Sequence, residues 1–264
     1  MQPATPVIQQ FTVDQLQVNV TGNRQELGLA AAQAVASQIR ELQQTQPFVH
    51  IIFASAPSQN EFLDALSQQP GIEWSRIKAF HMDEYMGLPA DAPQNFGLYL
   101  RQRLFANVPI NEVFYIDGNA ADAETECLRY SALLDQYPTD IVCLGIGENC
   151  HIAFNDPHVA DFNDPHLVKM VQLDAMSRHQ QVHDGCFASL DQVPEYALTL
   201  TIPALLRGRY LFCMVPASHK AEAINHTLVD AISEEYPATC LRSHPHAMLF
   251  IDHDSAATFL ATRV

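Results

Sequence analysis

The sequence predicts an α/β fold: a single three-layer, Rossmann-like domain over residues 1–264, with a mostly parallel sheet flanked by helices. Three observations predict it. Short apolar runs alternate with longer amphipathic segments along the whole chain. Several of these runs are continuously apolar, as strands buried on both faces are. No linker, repeat or low-complexity segment divides the sequence.

The first half of the chain begins with a polar tail over residues 1–12, which we expect to be flexible. The alternating run Leu16–Val20 predicts a strand, and Asn23 offers a cap for a helix reaching about Gln44. The continuous apolar run Phe48–Ala54 predicts a central strand. A helix over 61–67, a strand over 77–80, an amphipathic helix ending near 104 and a strand over 113–116 follow in that order.

The second half repeats this alternation. A helix is expected over residues 121–137, and the apolar run Asp140–Leu144 predicts a buried strand. Four more strands are predicted by apolar, β-branched runs at 167–173, 196–202, 211–215 and 247–251. Ser218 is the expected cap of a helix that reaches about Leu228, and a short helix closes the chain.

Composition narrows the class of function. The chain has 14 Lys and Arg against 30 Asp and Glu, a net charge of −16 and no basic cluster, which argues against nucleic-acid binding. No apolar run approaches the roughly 20 residues of a membrane span, and no signal-peptide pattern opens the chain. We therefore expect a cytoplasmic protein that binds no membrane. The six cysteines and 12 histidines lack ligand spacings, so no metal is predicted.

Polar residues directly follow three of the predicted strands. The turn Ser55–Asn60 opens a helix, where hydroxyls and unpaired N–H groups suit a phosphate, although a serine N-cap explains the pattern equally well. Asp83 and Glu84 follow the next strand, and because side chains alternate, one should face the crevice and the other point away. His151 follows the glycine turn that ends the 140–144 strand. Since ligands bind at the carboxyl edge of such sheets, these residues are candidates for one site.

Five ordered fragments carry a resemblance to a known family. They are HMDEY at 81–85, HIAFNDP at 151–157, QVPEYALT at 192–199, Lys220 in its helix-opening context, and Cys240-Leu241 with His244-Pro245. Together they resemble the glucosamine-6-phosphate deaminase family, also called glucosamine-6-phosphate isomerases. The resemblance extends over nearly the whole chain, in the right order.

The resemblance implies a cofactor-free, isomerising deamination of an amino sugar phosphate. His151 would open the sugar ring, and Asp83 would carry the proton from C2 to C1 through an enolamine. Asp156 would orient the imidazole, and Lys220 would hold the phosphate. Further candidates for contacts to the substrate or its phosphate are Ser55, Ser58, Gln59, Glu84 and Arg178, of which Glu84 has a structural pairing and Arg178 a surface position as the alternative.

Three departures indicate a divergent subgroup. Asn149 stands where the family normally has an aspartate of the catalytic relay, and an amide orients but cannot accept a proton. Asp156 stands where the family often has the longer glutamate, so its reach to His151 is expected to need a shifted backbone or a water. The Ser55–Gln59 turn replaces a glycine-rich, threonine-containing loop. No basic segment lies between Asp156 and Lys169, so allosteric control is not predicted.

Two alternative functions stay open at this point. A 6-phosphogluconolactonase resembles this fold and has a similar histidine motif, but its hydrolysis needs no proton transfer at C2, so Asp83 favours the deaminase. A non-catalytic sugar-phosphate sensor is the other alternative, and Asn149 is the residue that supports it. The sequence leaves open the gluco or galacto epimer and whether the chain forms a homo-oligomer.

Overall fold

A computed structural model describes residues 7–261. Its strands are β1 (Val7–Val13), β2 (Leu16–Thr21), β3 (Val49–Phe53), β4 (Ile77–His81), β5 (Asp83–Tyr85), β6 (Glu112–Phe114), β7 (Ile141–Leu144), β8 (Val168–Gln172), β9 (Tyr196–Leu200), β10 (Tyr210–Val215) and β11 (Ala247–Asp252). Its helices are α1 (Arg24–Thr45), α2 (Asn60–Ser67), α3 (Phe96–Leu100), α4 (Ala123–Gln136), α5 (Ala175–His183), α6 (Ile202–Leu206), α7 (Ala221–Val229) and α8 (Ala257–Ala261).

The main sheet has eight strands in the order β1-β2-β11-β10-β7-β3-β4-β6. Every neighbouring pair is parallel except β1 and β2, which form an antiparallel pair. From β3 the chain moves outward through β4 to β6, whereas from β7 it moves in the opposite direction through β10. The strand order therefore reverses between β3 and β7, which is the position where open α/β sheets bind ligands.

Alternating side chains of the central strands pack into two separate hydrophobic cores, one on each face of the sheet. The sheet and the helices on its two faces form the three layers. In β7, Ile141 and Cys143 pack with residues of α1 and α2, whereas Val142 and Leu144 pack on the opposite face with residues of α4 and α7. All four side chains are fully buried. This two-sided burial explains why the run is continuously apolar and confirms the predicted fold class.

A second, three-stranded sheet lies outside the predicted arrangement. Its strands β5, β9 and β8 pair antiparallel in that order. The apolar runs at 167–173 and 196–202 are strands as expected, but they belong to this sheet. The alternation of strands with helices predicts parallel strands joined by crossovers in one sheet. It does not reveal the second sheet, because β5, which begins that sheet, is only three residues long.

Two local predictions are corrected by the structure. The polar tail predicted over residues 1–12 is a strand from Val7 onward, paired along β2, while residues 1–6 lie outside the described part. The outward face of β1 is exposed, so the polar residues of β1 fit an edge strand. Ser218 does not cap α7: it begins a single 3₁₀ turn, Ser218–Lys220, without a side-chain cap. Within residues 7–261, no helix has the length and apolar character needed to cross a membrane.

Candidate active site

A cleft lies at the carboxyl ends of four adjacent strands, β10, β7, β3 and β4, across the reversal of strand order. Each strand delivers a polar turn to the same edge, as the sequence predicts for β3, β4 and β7. The cleft-lining residues that the sequence identifies as candidates are Ser55, Ser58, Gln59, Asp83, His151 and Lys220. Asn149 and Asp156 lie directly behind His151 and contact it.

His151 is held by three oxygen atoms around Nδ1. Asn149 Oδ1 lies 2.6 Å from this nitrogen, and Asp156 Oδ1 and Ser177 Oγ each lie 3.0 Å from it. The amide and carboxylate oxygens only accept hydrogen bonds, so Nδ1 carries a proton. The other ring nitrogen, Nε2, has no hydrogen-bond partner within residues 7–261. It is therefore the nitrogen that can exchange a proton with a ligand in the cleft.

The glycine turn before His151 is shaped around the imidazole. A Cβ on Gly147 would lie 2.1 Å from the ring atom Cε1, so only glycine allows this approach. Cys150 and Ala153, on either side of His151, have φ of 66° and 49°. Such left-handed conformations cost free energy in residues with a Cβ, and they concentrate at functional sites. The backbone therefore carries strain to place this ring.

Asp156 reaches His151 directly, which corrects the expectation that its shorter side chain needs a water or a shifted backbone. Burial alone would raise the pKa of Asp156, but the attraction of His151 and hydrogen bonds from His151, Ser177 and Asn149 outweigh burial and hold the pKa well below its usual value. Asn149 Nδ2 donates to Asp156 Oδ1 at 2.9 Å. The side chain at 149 thus orients both partners of the His–Asp pair.

Ser177, the first residue of the polar stretch 177–185 that the sequence offers as a substrate contact, joins this network, a role that the sequence did not predict. It is buried, and its hydroxyl contacts both His151 Nδ1 and Asp156 Oδ1. We expect Ser177→Ala to lower kcat about tenfold with little change in KM, because a hydrogen bond to a charged group contributes about 1.5–3 kcal/mol. Ser177→Thr, which keeps the hydroxyl, should retain most of the rate. Steady-state kinetics of the two variants test this, and equal losses would contradict a role for the hydroxyl.

Asp83 and Glu84 point in opposite directions, as alternation predicts. Asp83 lines the cleft, and its carboxyl group makes no hydrogen bond to another described residue. Burial, with a smaller contribution from the negative charge of Glu84, raises the pKa of Asp83 well above its usual value. A carboxyl group with a raised pKa can both take up and release a proton near neutral pH.

Glu84 does not line the cleft, so the structure corrects its placement as a substrate contact. Its carboxylate accepts backbone N–H groups of Tyr85, Phe96 and Gly97 at 2.9–3.0 Å. Burial raises the pKa of Glu84, and these three hydrogen bonds oppose the rise. The side chain anchors the start of α3 to β5, which is the structural alternative for this residue.

Lys220 supplies a buried positive charge on the β10 side of the cleft. The residue is only 3% exposed, and within residues 7–261 no carboxylate lies within 4.0 Å of its ammonium group. Burial lowers the pKa of Lys220 to about 8, although Asp184 and Glu148 act in the opposite direction. Ala217, three residues before Lys220, has φ of 83°, and the Asp252 carboxylate accepts a hydrogen bond from its backbone N–H. A buried cation without a close counter-ion fits an anionic ligand.

The pH dependence of ligand binding should follow the ionisation of the Lys220 side chain. Because its pKa lies near 8, the ammonium is charged below that pH and neutral above it. We expect kcat/KM for a phosphorylated substrate to fall as the pH rises above about 8 in the free enzyme. Lys220→Arg stays charged and should hold its kcat/KM constant to higher pH. Lys169→Arg, on a lysine paired with Asp164, is the control; an identical alkaline decline in Lys220→Arg would contradict the assignment.

The turn after β3 forms the opposite wall. Gln59 is buried and donates to Met214 O at 3.2 Å, which leaves its Oε1 without a partner among the described residues. A phosphate accepts hydrogen bonds only, so this acceptor suits a ligand hydroxyl or ammonium. Neither Ser55 nor Ser58 caps a helix through its side chain, so the serine N-cap alternative is wrong. Arg24, which the sequence analysis did not identify, also lines the cleft and pairs with Glu61.

Arg178 is not part of the cleft wall, contrary to its selection as a phosphate contact. Its guanidinium donates to Leu190 O at 2.9 Å and Val193 O at 2.8 Å. The reason is helical geometry, since the polar stretch 177–185 is mostly α5. Positions 177, 180, 181 and 184 share one face of a helix, and 178 is turned about 100° away. Gln180, Gln181 and Asp184 accordingly line the cleft.

Comparison with known proteins agrees with this geometry. A family model described as glucosamine-6-phosphate isomerases/6-phosphogluconolactonase matches residues 22–250. A glucosamine-6-phosphate deaminase of Bacillus cereus (strain B4264) is 33% identical over 184 residues, which cover 70% of this chain and 68% of that protein. Glucosamine-6-phosphate deaminase 1 of Bacillus subtilis (strain 168) is 34% identical over 195 residues, covering 73% of this chain and 78% of the relative.

Solved structures give the same result. A monomeric glucosamine-6-phosphate deaminase superposes with a TM-score of 0.83 at 31% identity, covering 91% of this chain and 99% of the other. A 6-phosphogluconolactonase from Thermotoga maritima gives a TM-score of 0.72 at 20% identity, covering 89% of this chain and 98% of the other, and shares the fold. The resemblance seen in the sequence motifs is confirmed. The chain belongs to the glucosamine-6-phosphate isomerase/6-phosphogluconolactonase family.

Proposed function

We propose that this protein catalyses the isomerising deamination of a hexosamine 6-phosphate, converting glucosamine 6-phosphate and water to fructose 6-phosphate and ammonia. The observation that carries the proposal is the pair of proton carriers on one cleft. Asp83 offers a carboxyl group of raised pKa, and His151 offers a free Nε2 opposite a protonated Nδ1. Lactone hydrolysis has no use for the first of these groups.

The residues suit each proton transfer of this reaction. His151 Nε2 takes the proton of the C1 hydroxyl as the sugar ring opens and returns it to the ring oxygen. Asp83 removes the proton at C2 of the open aldehyde while the aldehyde oxygen takes a proton from water, giving an enolamine, and Asp83 then delivers its proton to C1. The resulting iminium at C2 adds water and expels ammonia, which leaves the ketone of fructose 6-phosphate. Lys220 balances the charge of the phosphate throughout.

Asn149 supports catalysis in this arrangement despite replacing the family's aspartate. Its side chain already bonds Asp156 at 2.9 Å and His151 at 2.6 Å. Two carboxylates at that separation would repel each other, and one of them would be protonated. The amide keeps the orientation of the network and leaves Asp156 as its single charged acceptor. A sensor needs no such orientation of an imidazole, so the network favours an enzyme.

Further features of the proposal follow from the family and the composition. The substrate is a small sugar phosphate, and we place the reaction in the cytoplasm, the compartment that the sequence composition predicts. A homo-oligomer remains a prediction only, and the deaminase structure at 31% identity is described as monomeric.

A panel of three substrates tests the proposal. Initial rates are measured with glucosamine 6-phosphate, galactosamine 6-phosphate and 6-phosphogluconolactone. The proposal predicts ammonia release from glucosamine 6-phosphate and lactone hydrolysis no faster than the buffer rate. Rapid lactone hydrolysis without ammonia release would identify the hydrolase instead. Tight binding of the sugar phosphates without turnover of any of them would identify a sensor.

A further inference from the structure

A second cavity, of about 340 Å³, adjoins the catalytic cleft. The two have residues 55–57, Phe96 and Gln181 in common, so the cavity lies directly beside the cleft. The rest of its lining comes from Tyr85, Pro93, Gln94, Tyr99, Gly185 and Cys186. No charged side chain is among these residues. A cavity of about 150 Å³ holds benzene in other proteins, so this one accommodates a larger group.

Tyr85 links the cavity to the catalytic carboxyl group. Asp83 and Tyr85 are two residues apart on β5, so their side chains leave the same face of the strand, about 7 Å apart. Tyr85 is buried, and its hydroxyl has no hydrogen-bond partner within residues 7–261. Burial raises the pKa of Tyr85 well above its usual value, so the hydroxyl stays a donor. An acceptor on a ligand in the cavity would satisfy it.

We propose that this cavity binds the acyl group of an N-acylated hexosamine 6-phosphate whose sugar phosphate occupies the cleft, and that it prefers acyl groups larger than acetyl. The proposal rests on the proposed function, which places C2 and its nitrogen beside Asp83. An acyl group is uncharged, as the lining requires. Its carbonyl accepts from Tyr85 or from the amide of Gln181, and its apolar remainder packs on the rings of Phe96 and Tyr99.

Such a compound is an inhibitor and not a substrate. The nitrogen lone pair of an amide is delocalised into its carbonyl, so it cannot drive formation of the C2 iminium that deamination requires. The N-acylated sugar therefore occupies the cleft without turnover. Its affinity reports the fit of the acyl group to the cavity.

Calorimetric dissociation constants for N-acetyl-, N-butanoyl- and N-benzoyl-glucosamine 6-phosphate test the proposal. We expect affinity to rise at least about tenfold from acetyl to benzoyl, because the larger groups bury more apolar surface. Gln94→Trp, which fills the cavity, should abolish this gain and leave deamination of glucosamine 6-phosphate unchanged. Gln102→Trp, an exposed position on the neighbouring turn, is the matched control and should keep the gain. Tyr85→Phe should weaken all three compounds about fivefold.

Two results would overturn the proposal. One is an N-benzoyl compound that binds no tighter than the N-acetyl compound, and the other is a gain that survives in Gln94→Trp. Neither result concerns turnover, so each leaves the proposed function standing. Failure of the proposed function is recognised separately, by the absence of ammonia release from glucosamine 6-phosphate in the same preparation.

Discussion

Asp83→Asn should lower kcat for glucosamine 6-phosphate by about a thousandfold or more, with KM changed by no more than a few fold. An amide has the shape of the carboxyl group but cannot carry a proton from C2 to C1, and positioned acid–base groups contribute about 10²–10⁴ to the rate. Steady-state ammonia release measures the effect. Asp91→Asn, at an exposed turn position, is the matched control and should keep the wild-type rate.

The same variant should be more stable than the wild-type protein at neutral pH. The pKa of Asp83 is raised in the folded state, chiefly by burial, so the folded state binds a proton more tightly than the unfolded chain does. Stability then falls as the pH rises above the usual aspartate pKa, and a neutral amide removes this loss. A higher Tm with negligible activity would confirm the assignment. Wild-type kcat in Asp83→Asn would contradict it.

His151→Gln should also lower kcat by about a thousandfold, because the amide cannot exchange protons with the ring oxygen and the C1 hydroxyl. This substitution should lower the stability of the folded protein, whereas Asp83→Asn should raise it. Asp156 is fully buried, and its pKa is held low against burial mainly by His151. Removing the imidazole leaves a buried carboxylate with only Ser177 and Asn149 as hydrogen-bond donors, and losing a hydrogen bond to a charged group costs about 1.5–3 kcal/mol.

The double variant His151→Gln, Asp156→Asn separates the two effects. It replaces the unpaired carboxylate of Asp156 by a neutral amide, so most of the lost stability should be regained, while kcat should stay at the level of the single variant. Thermal denaturation measures the change in stability. His183→Gln is the control, because His183 is half exposed and pairs with Glu148 at the surface. Full activity in His151→Gln would refute its role in ring opening. Equal stability of the single and double variants would refute the compensation between His151 and Asp156.

The main sheet and the position of the cleft were predictable because they follow from local patterns. Continuous apolar runs mark strands buried on both faces, and the polar turns after β3, β4 and β7 come to one edge in any parallel sheet. Those two rules bring Asp83 and His151 to the same cleft. Alternation along β5 likewise predicted that only one of Asp83 and Glu84 would face it.

The remaining features depend on contacts between distant parts of the chain. Ser177 joins the His151 network because α5 packs over the cleft. Helical periodicity places positions 177, 180, 181 and 184 on one face and Arg178 on another, and the packing of α5 decides which face meets the cleft. The left-handed conformations of Cys150 and Ala153 likewise do not follow from their residue types, which favour right-handed or extended backbone.

The most direct test of the central claim is an NMR time course of the wild-type protein with glucosamine 6-phosphate, with ammonia measured in the same sample. We predict that fructose 6-phosphate accumulates in a one-to-one ratio with ammonia, and that neither forms with Asp83→Asn. Unchanged glucosamine 6-phosphate in the presence of folded wild-type protein, or ammonia without fructose 6-phosphate, would contradict the account.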